Sequence, residues 1–123
     1  GVESFVFAIR QDQHLVGLVN LDGLDWANSH AEIGIALTSQ DARGQGFATE
    51  ALSLLIDFAF RELGLHRIWA RIIDGNEPSL KLFAKLGFKT EGRMIGHVRR
   101  SGQFRDMLIF GLIHSNDETT LQR

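Results

Sequence analysis

The run Asp41-Ala42-Arg43-Gly44-Gln45-Gly46-Phe47-Ala48 stands where the chain changes its hydrophobic period. Before it, Ile33 and Ile35 alternate with Glu32 and Gly34, the pattern of a half-buried strand. After it, Ala48, Ala51, Leu52, Leu55, Ala59, Phe60 and Leu63 share one helical stripe, and Gly64 supplies a stop. A strand therefore enters a glycine-rich turn and leaves as an amphipathic helix. Glycine permits tight backbone geometry and close approach of a ligand. The first amides of a helix lack internal partners, and the aligned peptide dipoles favour negative charge there. The turn thus predicts an anion nest on Arg43, Gly44, Gln45, Gly46, Phe47 and Ala48, with a charge-assisted contact from the Arg43 side chain, suited to a diphosphate. A nucleotide-hydrolase loop would need Lys followed by Ser or Thr after Gly46, and a dinucleotide loop would need a third glycine; neither is present. A tight turn without a ligand is the alternative these residues leave open.

Outward from this turn, residues 5–10, 14–24 and 30–37 read as three strands that can form an antiparallel meander. Beyond the helix, His66 to Ile73 reads as a strand with Ile68, Ala70 and Ile72 on one face. Asn76 can cap a second helix, Pro78 fits its first turn, and Gly87 ends it. Residues 88–98 and 104–113 read as two strands joined by the turn Arg100-Ser101-Gly102-Gln103. Strands joined through helices imply parallel neighbours, and hairpins imply antiparallel ones. The expected fold class is α/β (α+β): one mixed, twisted sheet flanked by helices. Residues 1–114 read as a single domain and 115–123 as a polar tail.

The 123 residues suffice for one modest core. A formal net charge of −2, and a basic run no longer than Arg99-Arg100, argue against a nucleic-acid partner. No window is apolar enough for a membrane span, so no membrane partner is expected. Cysteine is absent, which removes thiol nucleophiles and cysteine metal sites and suits a cytoplasmic setting. The five histidines show no ligand spacing, and no metal is expected.

The run R-G-Q-G-F-A, with Arg43, Gly46 and Ala48 in order, resembles the cofactor motif of the GCN5-related N-acetyltransferases (GNAT). The stretch D-G-N-E-P-S-L-K-L-F-A-K-L-G-F from Asp74 to Phe88 is similar to the ribosomal-protein and spermidine acetyltransferase branch. So are E-G-R from Glu91 to Arg93 and G-Q-F-R-D from Gly102 to Asp106. The resemblance covers nearly the whole chain but only the later three quarters of the family domain, without its opening strand and two helices. It implies a GNAT-like sheet with a β-bulge or splay, and acetyl-CoA as cosubstrate with its pyrophosphate on the nest. It implies a pantetheine arm running along the main chain of Ile35, Ala36 and Leu37, with Asn76 and Phe83 also at the cofactor. The acceptor would be a primary amine, either a protein N-terminus or a small polyamine-like molecule, and the subunits would pair as a homodimer. A catalytically weak acetyl-CoA sensor is the alternative.

The reaction implied is attack of an amine on the thioester. It must lose an ammonium proton, stabilise an oxyanion and release a thiolate. Glu32 is the expected base, with Glu91 as alternative and His30 as a relay. A main-chain N–H near Ala36 would hold the oxyanion. Many relatives carry a tyrosine where Phe83 stands, and a phenyl ring has no proton to give. Water or Ser79 is then the expected donor to the thiolate.

Overall fold

The computed structural model describes residues 3–38 and 46–115. Its strands are β1 (Glu3–Gln11), β2 (His14–Asp25), β3 (His30–Leu37), β4 (Arg67–Ile73), β5 (Lys89–Arg100) and β6 (Gln103–Ile113). Two helices are α1 (Phe47–Asp57) and α2 (Glu77–Lys85). The strands form a six-stranded sheet of order β1-β2-β3-β4-β6-β5, flanked by the helices. The chain divides into two compact units, residues 1–68 with 113–123, and residues 69–112.

In the first unit the expected meander forms, with β1–β2 and β2–β3 both antiparallel. Alternation divides its side chains between two faces. One face carries Phe5, Phe7, Val19, Leu21, Ile33 and Ile35; among these Val19, Leu21 and Ile33 are almost fully buried. Leu52, Leu55 and Ala59 are the buried side of the helical segment, and α1 contacts both β2 and β3. The last turn departs from the expected regular helix. Phe58–Glu62 is π-helical, and the Leu63 amide reaches back to the Phe58 carbonyl at 3.0 Å. The extra residue in this turn turns Phe58 onto β1, where its ring meets Phe5 and Phe7 edge-on, both at 5.5 Å. Gly64 then ends the segment at φ +68°, as its type suggested.

Ser29 locks the turn between β2 and β3. Its backbone is left-handed at φ +62°, unusual for a residue with a side chain. Its carbonyl accepts the amides of His66 and Arg67, and its Oγ accepts from His66 at 2.9 Å. Asp25 supports the same turn by accepting from the Asn28 amide and side chain, both at 2.9 Å. Those bonds, helped by the charge of His30, hold the Asp25 carboxyl below its ordinary range.

In the second unit Ile72, Phe83, Phe88, Leu108 and Phe110 are buried, with Ala70. Asn76 caps α2 as expected, accepting from the Ser79 amide at 3.4 Å, and Gly87 closes the helix at φ +97°. The β5–β6 hairpin is irregular: Met94 pairs with Met107 and Val98 with Arg105, so three residues of β5 oppose Asp106 alone. Arg93 and Asp106 hold this bulge. Arg93 donates from one guanidinium nitrogen to Asp106 at 2.6 Å and to Asp74 at 2.9 Å, while Asp106 also accepts the Gly96 amide. The Gly96 amide first, and the Arg93 guanidinium next, hold the Asp106 carboxyl below its ordinary range.

A group depressed in the folded state contributes stability above its unfolded pKa and loses it as pH falls through the folded value. The Asp106 contribution is therefore complete at neutral pH and disappears below the ordinary carboxylate range. In acid titration followed by circular dichroism, Asp106→Asn should be less stable than the parent at pH 7. The two should converge as the pH falls; a constant gap would overturn this account of the bulge.

Candidate functional site

The nest begins at Gly46, the N-cap of α1, whose backbone is left-handed at φ +82°. Its carbonyl accepts the first helical bond, from the Glu50 amide at 3.0 Å. The amides of Phe47, Ala48 and Thr49 thus precede the helical ladder, and glycine offers no side chain to cap them. A Cβ added at Gly46 would meet no atom within 4 Å. Backbone conformation, not crowding, therefore calls for glycine here. Arg43, Gly44 and Gln45 lie outside the described residues, so the nest is seen through Gly46, Phe47 and Ala48.

The β2–β3 register decides which main-chain groups of β3 face β2. Thr38 donates to Val16 at 2.9 Å, and Ala36 lies opposite Leu18 two residues earlier. Bonded and non-bonded pairs alternate in an antiparallel ladder, so Ala36 belongs to a bonded pair and directs its N–H and C=O toward β2. Ile35 and Leu37 belong to the alternate pairs and direct theirs away from β2. The outward amides are thus those flanking the residue expected from sequence. A single strand does not reveal this; the parity appears only with the partner's register.

Glu32 sits on the face of the meander opposite α1, together with Asn20, Asp22 and Gly34. It is half-buried, and Asp22 lies directly across the ladder from it. His30 shares this side of β3; its Nε2 lies 3.7 Å from Asp25 Oδ2, and its buried Nδ1 has no hydrogen-bond partner among the described residues. In the second unit Asn76 and Ser79 meet as cap and third residue of α2. Phe83 is 3% exposed, and its ring stands edge-on to Phe88 at 5.1 Å. Burial makes it a core residue of that unit, whatever else it contacts. Glu91 is exposed on β5. Among the described residues, no three His, Cys, Asp or Glu side chains are grouped to hold a metal, and no helix is long and apolar enough to cross a membrane.

The first unit also holds a groove of about 440 Å³ that sequence reasoning did not foresee. Phe7, Ile9, Val19, Phe47, Leu54 and Phe58 line it, and Arg10 and Glu50 add charge. Of the expected site residues that are described, only Phe47 lines it. It is an apolar space beside α1, away from the polar face that carries Glu32.

The sequence profile of the acetyltransferase (GNAT) domain matches residues 2–89. The chain belongs to the GNAT acetyltransferase family. An uncharacterized N-acetyltransferase of Bacillus licheniformis is 34% identical over 109 residues, covering 89% of this chain and 61% of the relative. Spermidine N(1)-acetyltransferase of Escherichia coli K12 is 30% identical over 102 residues, covering 83% of this chain and 54% of the relative. Among solved structures, a spermidine N-acetyltransferase from Vibrio cholerae in complex with CoA and spermine superimposes with a TM-score of 0.84. It is 25% identical, with 91% of this chain and 66% of that one covered. This GNAT chain thus spans less than two thirds of the length of the curated relatives it matches first.

For this GNAT domain, two substitutions separate backbone geometry from packing. Gly46→Asn should cost little, because asparagine tolerates a left-handed backbone, whereas Gly46→Val should cost about 1–2 kcal/mol in urea unfolding. Equal losses would remove the conformational argument. Phe83→Ala should cost about 3–5 kcal/mol by the same measurement, as for a buried ring. A loss below 1 kcal/mol would show that the ring is not part of the core.

Proposed function

We propose that this chain binds acetyl-CoA and transfers its acetyl group to a primary amine. The observation that carries the reading is the start of α1. Three amides precede the helical ladder behind a left-handed glycine, in the sequence context of the family's cofactor motif. In this reading the pyrophosphate rests on Gly46, Phe47 and Ala48, and the side chain of Arg43 and the amides of Gly44 and Gln45 extend the nest. The outward groups of Ile35 and Leu37 serve the pantetheine arm and the thioester carbonyl, with Ala36 fixed between them. Asn76 contributes its side-chain amide to the arm. The protein acts in the cytoplasm and associates with itself, and it needs no metal.

The step itself is direct. The amine nitrogen bonds to the thioester carbon, the oxygen passes through an oxyanion held by an outward main-chain N–H, and the C–S bond breaks to release the thiolate. The acceptor's proton must leave first. An alkylamine with a reference pKa near 10.4 costs roughly 4–5 kcal/mol to present neutral at pH 7, and an α-amine only about 1 kcal/mol. Glu32, half-buried on the polar face, is the base in this reading. Phe83 donates no proton, so the thiolate takes one from water or from Ser79, whose side chain is half-buried in α2. The resemblance to a spermidine acetyltransferase favours a small polyamine acceptor over a protein N-terminus.

Calorimetric titration with acetyl-CoA should give saturable binding that Gly46→Val abolishes. Release of free thiol should follow on adding spermidine. Glu32→Gln should lower kcat for spermidine about a hundredfold, and for an N-terminal peptide by less, because the α-amine needs less help. No heat and no change in melting temperature with acetyl-CoA would overturn the reading. Binding with no thiol release against any amine would leave a CoA-binding domain without the transfer.

A further inference from the structure

β2 is bulged beside β1. Arg10 pairs with Leu15 and Ile9 with Gly17, so Val16 is an extra residue on β2. Toward β3 the ladder runs on through this point. Gly17 lies across from Leu37, and the Val16 carbonyl accepts the Thr38 amide at 2.9 Å. The Thr38 hydroxyl adds a second bond, to the Leu15 carbonyl at 3.1 Å. The end of β3 is thus tied to β2 by main chain and side chain together.

Gly17 sits at the tightest point of this contact. It is buried, and its backbone is not left-handed, so conformation does not call for glycine here. Space does. A Cβ at Gly17 would lie 2.7 Å from the Ala36 carbonyl oxygen and 3.0 Å from Leu37 Cδ2, with Ile9 Cδ1 at 3.4 Å. A leucine tip can swing into another rotamer. A carbonyl oxygen moves only with its strand. A side chain at this position would therefore push the end of β3 away from β2.

We propose that Gly17 is a positioning residue for the pantetheine arm. By carrying no side chain it lets Ala36 and Leu37 close on β2, and so sets where the main-chain groups of Leu37 that face away from β2 stand. Thr38 holds the same strand end from the residue beyond. The inference rests on the acetyl-CoA reading above. It divides the cofactor's contacts in two. The diphosphate belongs to the start of α1 and the arm to the end of β3, so a displaced strand end costs affinity for the arm alone.

The test compares acetyl-CoA with ADP, which carries a diphosphate without the arm. Acetyl-CoA affinity is measured by calorimetry on the full chain, and ADP affinity by displacement of acetyl-CoA. Gly17→Ala should weaken acetyl-CoA about tenfold, the scale of one lost hydrogen bond, and leave ADP unchanged. Thr38→Val, at an exposed side chain, removes only the bond to Leu15 and should shift the ratio in the same sense by less; it carries the test if Gly17→Ala does not fold. Val19→Ala, two residues along β2 on the same face, should lower the melting temperature without changing the ratio, which separates positioning from stability. Equal loss for both ligands in Gly17→Ala, or an unchanged ratio in the variant that carries the test, would overturn the inference while acetyl-CoA binding stands. ADP that fails to displace acetyl-CoA from the parent would remove the division of contacts, and the inference with it. No binding of acetyl-CoA by the parent would remove the underlying reading as well.

Discussion

The antiparallel register between β2 and β3 is the constraint on which the rest of the first unit depends. One shift of a single residue would exchange the two faces of β3. Ile33 and Ile35 would leave the buried face, and Glu32 would enter it. The same register sets the direction of every main-chain group on β3. It turns Ala36 toward β2 and leaves Ile35 and Leu37 facing away. Apolar packing against α1 is what makes that register the favoured one. Stability and backbone geometry are therefore one fact in this strand: burying Ile33 sets which amides face β2 and which face away.

The start of α1 depends on a different rule. A helix that begins on a left-handed glycine has no cap side chain of its own to accept its first amides. α2 begins on Asn76, whose Oδ1 accepts the Ser79 amide. The contrast lies within one chain, between an ordinary capped helix and one whose cap carries no side chain. Asn76 also shows that a cap and a ligand contact need not exclude each other, because its amide nitrogen takes no part in the cap bond.

Much of this was legible in the residues. The change from period two to the helical period located β3 and α1, and Gly64, Asn76 and Gly87 marked helix ends by their own backbone and capping preferences. The family was legible too, since Arg43, Gly46 and Ala48 stand in the order of the GNAT motif and the family profile matches residues 2–89. Features that need a partner strand were not legible. The direction of the Ala36 amide, the close approach of Ala36 to Gly17, and the Arg93–Asp106 contact all join residues distant in sequence or paired through register. The π-helical turn at Phe58 was hidden too, because a helical stripe continues with little change through one wide turn. Phe83 falls on the apolar side of the second helix in the sequence, and its edge-on contact with Phe88 emerged only with the fold.

Binding of an anionic cosubstrate by an acidic unit, as proposed, looks contradictory, and the resolution lies in range. The first unit carries a formal charge of −6 and the second +4, from eleven acids against five bases and four against eight. Net charge acts over distance, and at physiological salt its reach is limited to about 8 Å. Amides at a helix start act at contact, where each donor meets one oxygen with no intervening solvent. A diphosphate can therefore be held by local dipoles, with Arg43 adjoining, inside a unit whose outer field repels it. A polyamine meets the opposite combination. A polyamine acceptor, as proposed, would be drawn by the field of the acidic unit. The two proposed substrates thus place different physical requirements on the first unit.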